Sequence, residues 1–88
     1  MTMLRLREDA VRWREIDREV VAVDLESSTY LSTNESGVRL WRRLADGATM
    51  EQLIDELVSV FGIERDRATA DVRTFLTELQ ARNLLERE

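Results

Sequence analysis

The side chains able to do chemistry in this 88-residue sequence are carboxylates, hydroxyls, one tyrosine and 13 basic groups, all of them arginine. Histidine and cysteine are absent. That removes the commonest general base, the usual partner that activates a nucleophile, the thiolate, and the favoured zinc and transition-metal ligands. The sequence therefore reads as non-catalytic, with no catalytic residue, no metal site and no cofactor. Arginine, carboxylate and hydroxyl groups are better suited to recognition, because a guanidinium pairs bidentately with carboxylates and stays charged at any working pH. A plainer origin for the all-arginine set is codon usage or a robust surface.

Two stretches gather recognition chemistry. Thr29-Tyr30-Leu31-Ser32-Thr33 is a short, uncharged run of β-prone residues. Farther on, Arg67, Asp71, Thr74 and Glu78 recur at helical spacing and form one flank, with Phe75 at its border with an apolar stripe. The opposite flank, Thr69, Arg73 and Gln80, is the alternative, since one sequence does not orient a helix about its axis. The reading takes the first flank. The bland account of Arg67 and Asp71 is that they pair across one turn, an exposed contact worth about 0.3–0.5 kcal/mol. Glu51, Asp55 and Glu56 spread around a helix and read as a solvated face, not a metal site.

The elements that must position these residues divide into a β third and a helical remainder. Ala10 to Ile16 alternates, with Val11, Trp13 and Glu15 on one side. Glu19 to Leu25 is β-branched, with Val21, Val23 and Leu25 sharing a face. Asp17-Arg18 is a two-residue turn without glycine, and Glu26-Ser27-Ser28 is a second turn leading to Thr29–Thr33. Leu4 to Arg7 adds a further edge segment. Asn34 caps a helix through Ala45 whose inner face is Val38, Trp41, Leu44 and Ala45, and Asp46-Gly47 ends it. Thr49 to Gln52 is a capping box opening a helix with the stripe Leu53, Ile54, Leu57, Val60 and Phe61, closed by Gly62. After an inward Ile63, a third helix begins between Glu64 and Arg67 and runs to about Arg82. Its stripe is Ala68, Val72, Phe75, Leu76 and Leu79, with Leu84 and Leu85 sealing its end. Trp13 and Trp41 are expected in the core. This order gives an α+β domain, a three-stranded antiparallel sheet followed by three helices.

Composition narrows the function further. One domain, residues 1–88, fits the length, and 43% hydrophobic with 35% charged residues is ordinary for a folded protein. The longest apolar run, Val20 to Val23, falls far short of a membrane span, and residues 1–9 lack a signal-peptide core, so a cytoplasmic protein without a membrane partner is expected. A net charge of -5 opposes general attraction to phosphate backbones.

The segment from Tyr30 through Asn34 and Gly37 to Trp41 resembles the signature of the PqqD-like family, the RiPP recognition elements, including the stand-alone ones of lasso-peptide pathways. Leu44 to Thr49, Asp71 to Leu76 and the ending Leu79, Asn83, Leu84, Leu85 continue the likeness, which covers residues from about 10 to 87. Thr33 departs from a common leucine and Asn83 from a common glycine; the first alters a pocket at the sheet edge, while the second exchanges one left-handed-tolerant residue for another.

The resemblance implies a winged helix-turn-helix-like fold and a task. The leader of a ribosomally made precursor peptide adds antiparallel to the third strand and lies in the groove beside the third helix. The expected binding residues are Thr29, Tyr30, Leu31, Ser32 and Thr33 on the strand, and Arg67, Asp71, Thr74, Phe75 and Glu78 on the helix. The bound leader is delivered to a leader peptidase, a cysteine protease on a separate chain, and to a macrocyclase. A second branch of the family presents its precursor to a radical enzyme in quinone-cofactor synthesis. Two readings of other classes are a structural or dimerisation module and a winged-helix DNA-binding protein. The latter is disfavoured because Glu64 to Arg73 sets three acids against three arginines, so no nucleic-acid partner is expected.

Overall fold

A computed structural model describes residues 2–87. In chain order the elements are β1 (Leu4–Leu6), β2 (Val11–Ile16), β3 (Glu19–Asp24), β4 (Thr29–Thr33), α1 (Glu35–Asp46), α2 (Met50–Phe61), α3 (Arg65–Ala81) and β5 (Leu85–Arg87). The expected meander forms in the order β2-β3-β4, both pairs antiparallel, and three helices follow. The segment at Leu4 is not an edge of that sheet. It pairs antiparallel with β5, Leu4 opposite Arg87 and Leu6 opposite Leu85, and exchanges two 2.8 Å backbone hydrogen bonds with Ala48. Leu85 therefore belongs to a strand, while Leu84 is the fully buried plug beneath α3.

Local chemistry accounts for the joints. Asp17 and Arg18 both take positive φ, 48° and 69°, the pair that a two-residue turn between right-twisted strands requires. The Asn34 carboxamide oxygen accepts from the Gly37 N–H at 3.0 Å, capping α1. Thr49 and Gln52 complete the capping box at 2.9 and 3.1 Å. Asn83 sits at φ 59°, the left-handed conformation that asparagine tolerates.

The inner face of the sheet packs on α1, with Trp41 wholly buried. The register puts Trp13, Ala22 and Leu31 in one row and Glu15, Val20 and Thr33 in the next, both facing the helix by alternation. The buried residues of β3 are thus Val20, Ala22 and Asp24; the Val21, Val23 and Leu25 face looks outward. Three expected core positions are corrected. Trp13 is 38% exposed because β2 is an edge strand; its ring meets Trp41 edge-on, centroids 5.9 Å apart. Val60 and Phe61 remain 42% and 38% exposed, since α2 outruns the layer it packs on and only Leu53, Ile54 and Leu57 are buried. Leu40, not singled out by periodicity, is buried at 2%.

Ion pairs fix the helices outside the groove. Arg65 bridges Glu51 and Asp55, joining α3 to α2, and Arg39 and Arg43 reach Glu56 from α1. Arg42 holds Glu15 bidentately, tying α1 to β2; that hydrogen bond lowers the Glu15 pKa and raises that of Arg42. Among the described residues no helix is long and apolar enough to cross a membrane.

Candidate functional site

The open side of β4 and one flank of α3 form the two banks of a groove of about 500 Å³. Because among the described residues β4 pairs only with β3, half of its backbone N–H and C=O groups point away from the sheet. Leu31 is half-buried and points to the groove side, with Ser32 and Thr33 beside it. On the other bank stand Arg67, Asp71, Thr74, Phe75 and Glu78, so the flank chosen from the sequence is the one that faces the groove. The reason is the burial of Ala68, Val72, Leu76 and Leu79, which turns the adjoining flank toward β4 and leaves Arg73 and Gln80 outside.

Thr29 and Tyr30 do not line this groove. Tyr30 is 74% exposed and lies in the outward row with Val23 and Arg12. Of the alternating pair Tyr30 and Leu31, it is Leu31 that flanks the cavity. The groove also has a floor that the sequence reading missed: Leu40, Leu57 and Leu79 below, with Asn34, Ser36 and Gly37 at the end of α1. The Asn-x-x-Gly spacing was the available signal, read as a family likeness and, at Asn34, as a cap.

Gly37 gives that spacing a second meaning. A β-carbon there would lie 2.6 Å from the β-carbon of Thr33, so α1 meets the end of β4 only because residue 37 has no side chain. The Thr33 hydroxyl is shielded and has no hydrogen-bond partner. The groove's charges are arranged differently. Among the described residues Arg67 and Asp71 do not pair with each other or with a third group, contrary to the bland account, whereas Glu78 meets Arg82 at 3.8 Å. The site thus offers an unpaired strand edge, an apolar floor, and one uncommitted charge of each sign. Such a surface holds an extended chain through its backbone and selects it by one or two apolar side chains. Among the described residues no group of acidic side chains gathers in a way that could hold a metal ion.

Residues 19–85 match the profile of the family described as Coenzyme PQQ synthesis protein D (PqqD). Among solved structures, "TbiB1 in Complex with the TbiA(beta) Leader Peptide" is 33% identical and superimposes with a TM-score of 0.85, covering 93% of this chain and 94% of that one. "Lasso peptide synthetase B1 complexed with the leader peptide" is 25% identical with a TM-score of 0.81, covering 94% of this chain and 96% of that one. No curated protein sequence matches.

Proposed function

The chain belongs to the PqqD family, and from that premise we propose that it binds the leader segment of a ribosomally made precursor peptide, of lasso-peptide type, without catalysing a reaction. The leader adds as an antiparallel strand on β4 and lies against α3. The observation that carries this reading is the uncharged, unpaired edge of β4 facing a groove with an apolar floor. Backbone hydrogen bonds along that edge supply sequence-blind affinity. Leu31 and Phe75 form the apolar walls, Ser32 offers a hydroxyl, Thr74 an acceptor oxygen whose own proton goes to the Ala70 carbonyl, and Arg67, Asp71 and Glu78 the charges; the shielded Thr33 contributes its backbone. Thr29 and Tyr30 contribute backbone rather than groove side chains. Residues 1–88 act as one recognition domain.

By holding the leader, the domain raises the local concentration of the attached core peptide at separately encoded enzymes, a leader peptidase and a macrocyclase. The likeness to a lasso peptide synthetase B1 bound to a leader peptide favours the lasso branch over the quinone-cofactor branch. The two branches differ in client and share the binding physics.

The test is calorimetric titration with a synthetic leader of the precursor from the chain's own gene neighbourhood, with and without Leu31→Asp. The wild type binds one equivalent. The variant places a charge on the half-buried groove wall and weakens binding at least tenfold, about 1.4 kcal/mol. Equal affinity in a folded variant refutes the groove.

A further inference from the structure

A cavity of about 330 Å³ is walled by the β2–β3 turn, the outer side of α1 and the end of α2, and it shares no lining residue with the groove beside β4. Its base is apolar. The buried Val38 backs it, and Val60 and Phe61 line it while standing 42% and 38% exposed. Its rim is Arg18, Arg39 and Arg42, with one carboxylate, Glu35.

The charges on this face do not balance as they do elsewhere on the chain. Arg18 reaches Glu35 at 3.6 Å, Arg42 is held by Glu15, and Arg39 and Arg43 share Glu56. Four arginines thus meet three glutamates, in a chain whose net charge is -5. The Arg18 side chain is 86% exposed and its partner 62%. Exposed ion pairs of this kind are weak, so the guanidinium can turn to a carboxylate of another molecule. Uncovered aliphatic and aromatic surface rimmed by arginine is the make-up of a protein interface, and the positive excess selects an acidic partner.

The position suits a partner that works on the loaded domain. Val20 stands opposite Thr33, so the β2–β3 turn lies at the Thr33 end of the sheet. A client strand antiparallel to β4 enters at that end and leaves at Thr29, from which the attached core peptide departs. A protein seated against Arg18 and Val60 therefore blocks neither the groove nor the exit. Of the two enzymes in the delivery reading, the one that cuts the leader must meet the domain while it is loaded, because after the cut the core is no longer held.

We propose that this face docks the leader peptidase, which lays one large apolar side chain over Val60 and Phe61 and sets flanking carboxylates against Arg18 and Arg39. The inference rests on the delivery reading and assigns that step a surface separate from the client groove.

The experiment is biolayer interferometry with the full chain immobilised and the purified peptidase encoded beside it in solution, with and without bound synthetic leader. Wild type binds the enzyme, and the affinity falls as salt is raised. Val60→Glu and Arg18→Glu each weaken that binding tenfold or more, while calorimetry gives both variants wild-type affinity for the leader and so shows them folded. Leu31→Asp has the opposite pattern, losing the leader and keeping the enzyme. If both variants bind the peptidase as wild type does, or if Leu31→Asp loses it together with the leader, the docking face is refuted. If wild type binds the leader and not the enzyme, the inference falls and the leader-binding reading stands. If wild type binds no leader, the parent reading falls and this inference with it.

Discussion

Substituting Gly37 by alanine tests the joint on which the groove depends. Within a helix, glycine to alanine ordinarily stabilises by about 0.5–1 kcal/mol, because alanine has less conformational freedom to lose. Here the new methyl would lie 2.6 Å from the Thr33 β-carbon and 3.2 Å from its γ-carbon and hydroxyl. Both sides of that contact are backbone-anchored, so relief requires α1 and the end of β4 to separate. Forced overpacking costs about 1–3 kcal/mol, which exceeds the propensity gain and leaves a net loss of roughly 0.5–2 kcal/mol. For a domain of this size that lowers the melting temperature by about 4–8 °C per kcal/mol. Thermal denaturation followed by circular dichroism measures it. Thr33→Gly removes all three contacting atoms, so in that background Gly37→Ala should return to neutral or stabilising, a coupling that a double-mutant cycle isolates. A Gly37→Ala protein that melts at or above wild type refutes the close approach. So does an effect that Thr33→Gly leaves unchanged.

Two further outcomes follow from the local chemistry. Asn34→Ala removes the side-chain cap on Gly37 N–H and should cost about 1 kcal/mol in urea unfolding, with the slope unchanged. Glu15→Gln removes the charge held by Arg42. The Glu15 pKa is lowered in the folded state by that hydrogen bond, so its stabilisation is fully present above the ordinary glutamate range and disappears as pH falls through the lowered value. The melting-temperature gap between wild type and Glu15→Gln should be constant near neutrality and close as acid protonates Glu15; a gap that does not narrow on acidification refutes the linkage.

Features written in short-range chemistry were readable from the chain. Asn34, and Thr49 with Gln52, act as caps through groups three residues away, and their types alone announced them, while Asn83 at positive φ was placed by the family likeness. The alternation that put Trp13 and Glu15 on one face of β2 was right as geometry. It did not say that an edge strand leaves that face half in water. The same gap explains Val60 and Phe61: periodicity reports which side of a helix is apolar, not whether a neighbouring layer extends far enough to cover it. Pairing of β1 with β5 joins residues some eighty positions apart, and three-residue strands have no periodic signal to match. The contact of Gly37 with Thr33 was hidden for a different reason. A glycine inside a helix pattern weakens the pattern, and only the position of β4 shows what its missing side chain admits.

A three-stranded sheet has two unpaired edges, and here they are treated differently. β2 carries Arg12, Arg14 and Glu15, and its largest apolar residue, Trp13, is laid against Trp41. Charged side chains along an edge deter a foreign strand, so β2 is protected in the usual way. β4, Thr-Tyr-Leu-Ser-Thr, has no charge and no proline. β1 does not cover it, being held by β5 and by Ala48. A bare edge carries an aggregation risk, and protection as simple as one lysine was within easy reach of substitution. That β4 is left bare while β2 is not argues that β4 is normally covered by another chain. The half-buried Leu31 and Phe75, backed by the buried Leu40, Leu57 and Leu79, then give that chain something to grip beyond its backbone.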